Sequence, residues 1–328
     1  MKRLLAAVLS ALAFAVAGVN APAAAQTLAS RPPATDTLGK LKATKQINVA
    51  VSADSFPLSF VKDGKGDPVG YSIDLCKKVI AQLARATGVP DLKTTWIPGT
   101  VSERIAMVSS GKADIDCANT TATLTRMQDV DFSSLIFLET GGLLVKDEGP
   151  VKSFADLAGR SIAVISGTTT ETRLEQLLKQ RLVNAKVVKV KDGPEGIALL
   201  EKGTIDAFVS DKVKLVGLAV QAKDPKSLAI LGEDLSVEPL AFALPRGDSP
   251  FRLEVNRALT QVYIGGELEP IFMAWLGPIG RPTGMLAAMY LLNSIPQCAV
   301  FSIIAEARSR PGASERRAMP PVAPRQKA

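Results

Sequence analysis

Histidine is absent from all 328 residues of this sequence, and the absence limits the chemistry open to the chain. Catalytic sites that combine Ser, His and Asp, or Cys and His, are excluded because each needs an imidazole group. Metal sites with histidine ligands are excluded for the same reason. For the chain as a whole we predict no catalytic residue, no metal site and no cofactor.

A strong charge of one sign is missing from the central part of the chain. The formal net charge is +7, but two of these charges lie in residues 1–25 and four lie in residues 299–328. Residues 26–298 therefore carry a net charge of only +1. Nucleic-acid-binding proteins rely on concentrated positive charge, so we expect no nucleic-acid partner.

A long, uninterrupted apolar run is also lacking. The apolar stretch 4–18 is short for a membrane span, follows Lys2 and Arg3, and precedes three alanines at 23–25. This pattern is typical of a cleaved signal peptide over residues 1–25, and an uncleaved membrane anchor is the alternative. We therefore expect an exported, periplasmic protein.

Two further segments show no regular apolar pattern. Residues 26–37 are rich in Pro, Ala and Thr and predict a flexible leader, whereas residues 299–328 are rich in Arg and Pro and predict a disordered tail. The apolar stretch 285–304 contains Asn293 and Pro296, which disfavour a membrane span there.

Cysteine is scarce, with Cys76, Cys117 and Cys298 as its three occurrences. In an oxidising, exported compartment one pair can form a disulfide and leave the third thiol free. We favour a Cys76–Cys117 pair, and the alternative is three separate, mostly buried thiols.

Strand-like and helix-like segments alternate along most of the chain. Residues 47–51 (INVAV) predict a strand, and residues 72–83 place apolar side chains at helical spacing. The alternation continues to residues 268–276, the second of two helices predicted near the end of the fold. This order is typical of α/β layers with mostly parallel sheets.

One strand, turn and helix segment, residues 161–178 (SIAVISGTTTETRLEQLL), is central to the functional interpretation. The first N–H groups of such a helix have no partner within it, and the helix dipole favours an anion there. Thr168 and Glu171 fit the capping-box pattern, which predicts a helix start at this point. A plain capped helix without a ligand is the alternative.

Two other polar turns, 119–123 and 210–211, also follow predicted strands. Ligands of α/β folds bind at the carboxyl ends of strands, so we expect these turns to meet in a cleft between two lobes. Arg126 suits a carboxylate, and Asp211 suits an ammonium group. Together they predict a site for an α-amino acid. Individually, Asp211 could be only a helix cap and Arg126 only a surface charge.

Several segments between about residues 37 and 296 resemble a known family, the periplasmic amino-acid-binding proteins of ABC importers that take polar amino acids. These segments are GYSIDLCKKV (70–79), GKADIDCANTTATLTR (111–126), VDFS (130–133), SFADLAGRSIAVISGTTTE (153–171), IDAFVSD (205–211) and AMYLLNSIP (288–296). TTWIPGTVSERI (94–105), together with SGTTTE, is most similar to the glutamate/aspartate-binding proteins.

The resemblance implies a type II-like periplasmic-binding-protein fold, with two α/β lobes joined by two crossing hinge strands. The crossings would be residues 139–146 and 238–246. Lobe 1 would comprise residues 38–140 plus 244–298, and lobe 2 would comprise residues 141–243. We expect a monomer that binds an amino acid and delivers it to the membrane permease of the importer.

The resemblance also implies roles for six residues, which divide between the two charged groups of an amino acid. The α-carboxylate would be held by Arg126, Thr121 and the helix start at Thr168. The ammonium group would be held by the backbone carbonyl of Asn119 and the carboxylate of Asp211, with support from Thr169.

The chain departs from the glutamate/aspartate-binding pattern at the positions that contact the ligand side chain. Ser52 and Gly193 replace an arginine and a histidine of that pattern, and Val101 replaces a serine. Only Arg104 remains of the contacts to an acidic side chain. If Arg104 points into the cleft, Glu, Asp, Gln or Asn can bind. If it pairs with Glu103 or solvent, a neutral amino acid fits better.

Two other functions stay open. An exported, dehydratase-like enzyme on the same fold would need an acid or base in the cleft, for which Glu103, Glu171 and Asp211 are the candidates. A sensor module that feeds a receptor is less favoured, because the sequence shows no clear membrane span or signalling segment.

Overall fold

The structure, a computed structural model, describes residues 36–295, and the structural statements below refer to this part of the chain. The predicted signal peptide, the predicted tail at 299–328 and Cys298 lie outside the described residues. Most of the predicted leader also lies outside them. The leader prediction extends two residues too far, because Asp36 caps a helix whose first residue, Thr37, is buried.

The described residues form nine α-helices and eleven strands. The helices are α1 (Thr37–Thr44), α2 (Tyr71–Thr87), α3 (Val101–Ser109), α4 (Thr169–Gln180), α5 (Gly193–Lys202), α6 (Lys212–Val220), α7 (Ser249–Ile264), α8 (Leu268–Leu276) and α9 (Gly284–Leu292). The strands are β1 (Gln46–Val51), β2 (Asp54–Ser55), β3 (Ser59–Phe60), β4 (Lys93–Pro98), β5 (Ile115–Asp116), β6 (Val130–Lys146), β7 (Ser161–Ile165), β8 (Lys186–Val190), β9 (Ala207–Asp211), β10 (Leu228–Ile230) and β11 (Ser236–Pro245).

Nine of these strands form one sheet, in the order β4-β1-β5-β11-β6-β9-β7-β8 with β10 paired to β6. Strand β1 is parallel to β4 and β5, and β7 is parallel to β8 and β9. We call the part built on β1, β4 and β5 the first lobe and the part built on β7, β8 and β9 the second lobe. The long antiparallel pair β6 and β11 joins them.

The predicted α/β class and the two-lobed architecture with two crossing strands are therefore confirmed. Strand β6 is longer than the crossing predicted at 139–146, because it begins at Val130 and pairs with β11 over its first half. The predicted lobe boundaries at 140/141 and 243/244 stay predictions.

Both lobes cover their sheet on two faces, as the alternation along single strands requires. In β7, the side chains of Ile162 and Val164 enter one buried cluster with α4, while Ala163 and Ile165 enter another with α5 and α6. The first lobe has a larger cluster between its sheet and helices α2 and α7. These buried faces hold the strand ends, and therefore the loops that follow them, in fixed positions.

A disulfide joins Cys76 in α2 to Cys117, which follows β5, and this confirms the favoured pairing. Both residues are fully buried in the large cluster of the first lobe. The bond fixes the start of the 119–123 turn against α2. It therefore supports the part of the first lobe that leads to Arg126.

Candidate functional site

A cleft of about 350 Å³ lies between the two lobes. Its wall is built by the loops after β1, β4, β5, β7, β8 and β9, so all six parallel strands point their carboxyl ends toward it. Nine of the ten predicted site residues line it, namely Ser52, Val101, Arg104, Asn119, Thr121, Arg126, Thr168, Thr169 and Asp211. The tenth, Gly193, does not line the cleft, but its backbone N–H donates to a cleft residue, Asp54, at 3.0 Å.

Arg126 begins a short 3-10 turn in the first lobe and is half-buried at the cleft. Its Nη1 donates to the carbonyl oxygen of Thr121 at 2.9 Å, which orients the guanidinium group. Among the described residues, no carboxylate lies within salt-bridge distance of it. Burial and the nearby charge of Arg104 lower the pKa of Arg126, although the charges of Asp116, Glu238 and Asp211 oppose the shift.

Asp211 ends β9 and precedes α6, but its side chain does not cap that helix. The carboxylate instead accepts weak hydrogen bonds from the Asn119 amide and the Thr170 hydroxyl, each at 3.4 Å. Burial and the charge of Glu238 raise the pKa of Asp211 to about 6, although Lys214 and the two hydrogen bonds oppose the shift. Like Arg126, Asp211 makes no salt bridge with a described residue.

Contacts across the cleft bring the two lobes together beside these charges. The side-chain amide of Asn119 donates to Asp211, in addition to the role predicted for its backbone carbonyl. The hydroxyl oxygens of Thr121 and Thr169 lie 3.3 Å apart, and Thr169 also donates to Glu238 at 2.9 Å. The cleft is therefore narrow where Arg126 and Asp211 face it.

The predicted capping box at the start of α4 is only half formed. The Thr168 hydroxyl accepts from the Glu171 backbone N–H at 3.1 Å, as predicted. The Glu171 carboxylate, however, accepts from the N–H of Gly167 at 2.6 Å and pairs with Lys189, which lowers its pKa. The hydroxyl of Thr168 also donates to Ile165 at 2.8 Å. These contacts fix the helix start that lines the cleft.

Arg104 lines the cleft, as one of the two alternatives requires, but it is also buried and paired with a carboxylate that neither alternative considered. Its Nε donates to Asp116 at 2.9 Å, Nη1 donates to the Gly99 carbonyl at 2.8 Å and Nη2 donates to the Thr120 hydroxyl at 3.2 Å. Glu103, the predicted competitor, instead caps the start of α3 through Thr100. The charge of Arg104 is thus neutralised by a buried carboxylate.

A second ion pair, which was not predicted from the sequence, joins the two lobes at the other side of the cleft. Asp54, in the β2–β3 hairpin of the first lobe, pairs with Lys214 in α6 of the second lobe at 3.0 Å. Gly193 and Ser52 donate to the same carboxylate at 3.0 and 2.9 Å. Burial raises the pKa of Asp54, but the Lys214 charge and these donors outweigh it and lower that pKa to about 2.

The position of Lys214 contained a signal that could have identified it. It lies in the first turn of the helix that directly follows Asp211, and therefore close to the carboxyl end of β9. Gly217, one turn further, touches the same hairpin, since a Cβ there would lie 2.4 Å from the carbonyl oxygen of Phe56. Helix α6 therefore contacts the first lobe through two successive turns.

The crossing strands bring two glutamates face to face beside the cleft. Glu139 in β6 and Glu238 in β11 are direct partners in the strand register, and both are buried. Burial and the charges of Asp211 and Glu238 raise the pKa of Glu139 well above its usual range, although the N–H groups of Thr140 and Val213 oppose the shift. This pair was not predicted, because it depends on the register of distant strands.

Residues 47–278 match the family model of bacterial extracellular solute-binding proteins, family 3. The chain belongs to this family. The match includes every strand after the first residue of β1 and all of the cleft residues described above. The resemblance to amino-acid-binding proteins stated from the sequence is thereby confirmed at the level of the family.

Relatives and solved structures of this solute-binding protein agree with the family assignment. The L-glutamate/L-aspartate-binding protein of Pseudomonas aeruginosa is 32% identical over 273 residues, which cover 83% of this chain and 88% of that protein. An ancestral arginine-binding protein solved with glutamine bound has a TM-score of 0.63 at 28% identity, covering 71% of this chain and 98% of its own. An ancestral amino-acid-binding protein described as a precursor of cyclohexadienyl dehydratase has a TM-score of 0.63 at 29% identity, covering 73% and 99%.

The helices of this solute-binding protein can be compared with the length and apolar character of a membrane-spanning helix. Between residues 36 and 295, no helix combines the length and the apolar character needed to cross a bilayer. Helix α9, which contains the first part of the apolar stretch noted above, ends at Leu292, and the rest of that stretch lies mostly outside the described residues.

Proposed function

We propose that this protein is the extracytoplasmic binding component of an ABC importer, and that it binds a polar L-amino acid in the cleft and delivers it to the permease. One observation carries the proposal. Arg126 and Asp211 are charges of opposite sign that face the same narrow cleft, and neither has an ionic partner among the described residues. The α-carboxylate of an amino acid can pair with Arg126 while its ammonium group pairs with Asp211.

The surrounding groups suit this orientation of the ligand. Arg126, Thr121 and the start of α4 at Thr168 hold the α-carboxylate, since a guanidinium fork and free helix N–H groups both favour an anion. Asp211 and Asn119 hold the ammonium group, and Thr169 supports them from the second lobe. Each charged hydrogen bond contributes roughly 1.5–3 kcal/mol, so a few of them reach the roughly −8 kcal/mol of micromolar binding.

The relatives support the class of ligand. The Pseudomonas aeruginosa relative is named for L-glutamate and L-aspartate, and a Rhizobium johnstonii relative at 31% identity is named a general L-amino-acid-binding periplasmic protein. These names favour glutamate, aspartate or a related polar amino acid as the ligand. They also favour a periplasmic location and a permease partner, and we expect the protein to act as a monomer without nucleic acid.

A dehydratase-like enzyme is the second candidate, and the ancestral dehydratase precursor among the structural neighbours is the observation in its favour. Two of the three candidate acid or base residues are engaged in structural contacts, which argues against an enzyme. Glu103 caps α3, and Glu171 is held by Gly167 and Lys189. Asp211 alone would be left for proton transfer. We therefore propose a binding protein, and turnover of a prephenate-like substrate would contradict this.

Isothermal titration calorimetry with a panel of amino acids tests the proposed function. We expect micromolar or tighter binding of at least one polar amino acid, and Arg126→Ala should weaken every such ligand by about a hundredfold or more, the equivalent of two charged hydrogen bonds. Arg257→Ala is a matched control, because Arg257 pairs with Glu254 on α7 and does not line the cleft. Equal binding by wild type and Arg126→Ala, or no binding by any amino acid, would overturn the proposal.

A further inference from the structure

The end of the cleft away from Arg126 and Asp211 is the part that would contact the side chain of a bound amino acid. If the amino-acid head group binds as proposed above, on which this inference rests, the remaining walls must face the side chain. These walls are the β2–β3 hairpin with Ser52 and Asp54, the segment from Pro98 to Arg104, and Lys214 of α6.

Both cations in that part of the wall, Arg104 and Lys214, already have an ionic partner. Asp54 pairs with Lys214 at 3.0 Å, and Arg104 pairs with the buried Asp116 at 2.9 Å. The side chains of Arg104 and Lys214 are only 4% and 9% exposed, so water contributes little to their solvation. Neither cation therefore offers a ligand an uncompensated charge, although each keeps N–H groups that can donate a hydrogen bond.

The Asp54–Lys214 pair is held in place from both lobes. Gly193 of α5 and Ser52 of the first lobe each donate to one oxygen of the Asp54 carboxylate. Lys214 also donates to the Ser55 hydroxyl at 3.3 Å. The side chain of Asp54 is still 27% exposed to the cleft, so the pair can meet a ligand. It offers the ligand one acceptor group and one donor group, with no net charge.

The charges of the cleft wall favour a ligand with an uncharged side chain over a ligand with a second carboxylate. The cleft wall includes four acidic and four basic side chains, and Asp116 lies behind Arg104. Of the two remaining basic residues of the wall, Lys191 pairs with Asp192 at 3.8 Å and Arg126 is used by the α-carboxylate. A second carboxylate on the ligand would therefore add a charge beside Asp54 that no unpaired cation of the wall compensates. An uncharged carboxamide contains one donor group and one acceptor group, and it matches the pair without disturbing it.

We propose that Asp54 and Lys214 together determine specificity, and that they select an amino acid with an uncharged, hydrogen-bonding side chain such as a carboxamide over a dicarboxylic amino acid. Asp54 acts against the dicarboxylic ligand by repulsion and by occupying Lys214. The same ion pair joins the β2–β3 hairpin to α6 across the cleft. One contact therefore both selects the ligand side chain and holds the two lobes together.

Calorimetric titration of glutamine and glutamate into wild type and Asp54→Asn tests this. We expect wild type to bind glutamine at least tenfold more tightly than glutamate. In Asp54→Asn the charge of Lys214 is released, so the ratio should move toward glutamate by at least tenfold. The control is Asp234→Asn, which removes a partner of Lys212 outside the cleft and should leave the ratio unchanged.

A second variant keeps the test valid if Asp54→Asn folds poorly, which thermal unfolding would reveal. Lys214→Gln leaves the Asp54 charge uncompensated, and we expect it to weaken glutamate relative to glutamine by a further tenfold. Tighter wild-type binding of glutamate, or a ratio that neither variant moves, would overturn this inference and leave the proposed function intact. Silence toward every amino acid would overturn the proposed function and this inference with it.

Discussion

The two ends of the cleft use charge in opposite ways. At one end, Arg126 and Asp211 face the cleft with no ionic partner among the described residues. At the other end, Arg104 and Lys214 are each paired with a carboxylate of the protein. Unpaired, half-buried charges destabilise a ligand-free protein and favour a ligand that completes them, whereas paired charges stabilise the fold.

The difference teaches that a charge in a cleft cannot be assigned to a ligand by its position alone. Arg104 and Arg126 both line the cleft, and both are arginines of the first lobe. They differ in burial and, above all, in the pairing of Arg104 with Asp116. Substitutions at the two ends should therefore separate binding from stability.

The largest expected effect is on folding, at the paired end. Arg104→Ala leaves Asp116 buried without its cation, and we expect the free energy of unfolding to fall by about 3–5 kcal/mol. Urea unfolding would measure this. The double variant Arg104→Met/Asp116→Asn should recover part of the loss, because no uncompensated charge remains. If Arg104→Ala kept its full stability and lost only ligand binding, the conclusion that the paired end of the cleft stabilises the fold would be wrong.

The next effect is expected at the unpaired end and has two opposite parts. Asp211→Asn should weaken amino-acid binding by about a hundredfold, since an ammonium ligand loses its counter-charge. The ligand-free variant should be more stable at pH 7 by about 3 kcal/mol, because burial raises the pKa of Asp211 to about 6 and ionisation therefore opposes folding.

The pH dependence of this second variant checks the explanation. A raised carboxyl pKa means that the contribution of Asp211 to stability is complete below its unfolded pKa and is lost as the pH rises through about 6. The stability difference between Asp211→Asn and wild type should therefore vanish below about pH 4. A difference that stayed constant from pH 4 to pH 8 would show that Asp211 is not responsible.

The smallest effect is on affinity near pH 6. A bound ammonium group favours ionised Asp211, so binding should lower its pKa and release a proton. The apparent affinity of wild type should then fall by up to about tenfold for each pH unit below 6. Calorimetry in two buffers of different ionisation enthalpy measures the released proton. No proton release at pH 6 would mean that the ammonium group does not contact Asp211.

The sequence predicted the regular elements well, because their local patterns are strong. Helix α8 was predicted at 268–276 and found there, and β1 differs from its predicted span by one residue. The first half of β6 was missed, since the segment 130–138 mixes Asp and Ser with its apolar residues. Its strand conformation comes from pairing with β11, about a hundred residues later in the chain.

The positions of the site residues were also predictable, but their partners were not. Arg126 and Asp211 follow the ends of strands, and this placement follows from the α/β alternation. The pairs Arg104–Asp116 and Asp54–Lys214 depend on how the segment after β5 and helix α6 pack. Nothing local in the sequence distinguishes a neutralised arginine from a free one, so the preference for a side chain stayed open until the contacts were known.

The route of the chain through the crossing strands has a consequence for folding order. Gly141 of β6 and Ser236 of β11 are direct partners, so residues 142–235 leave this strand pair and return to it at adjacent positions. The second lobe is in effect an insertion whose two ends meet. When this lobe folds first, it closes a long loop for the first lobe and lowers the entropy that pairing of β6 with β11 would otherwise lose. We therefore expect the interrupted lobe to be the last part of the molecule to form.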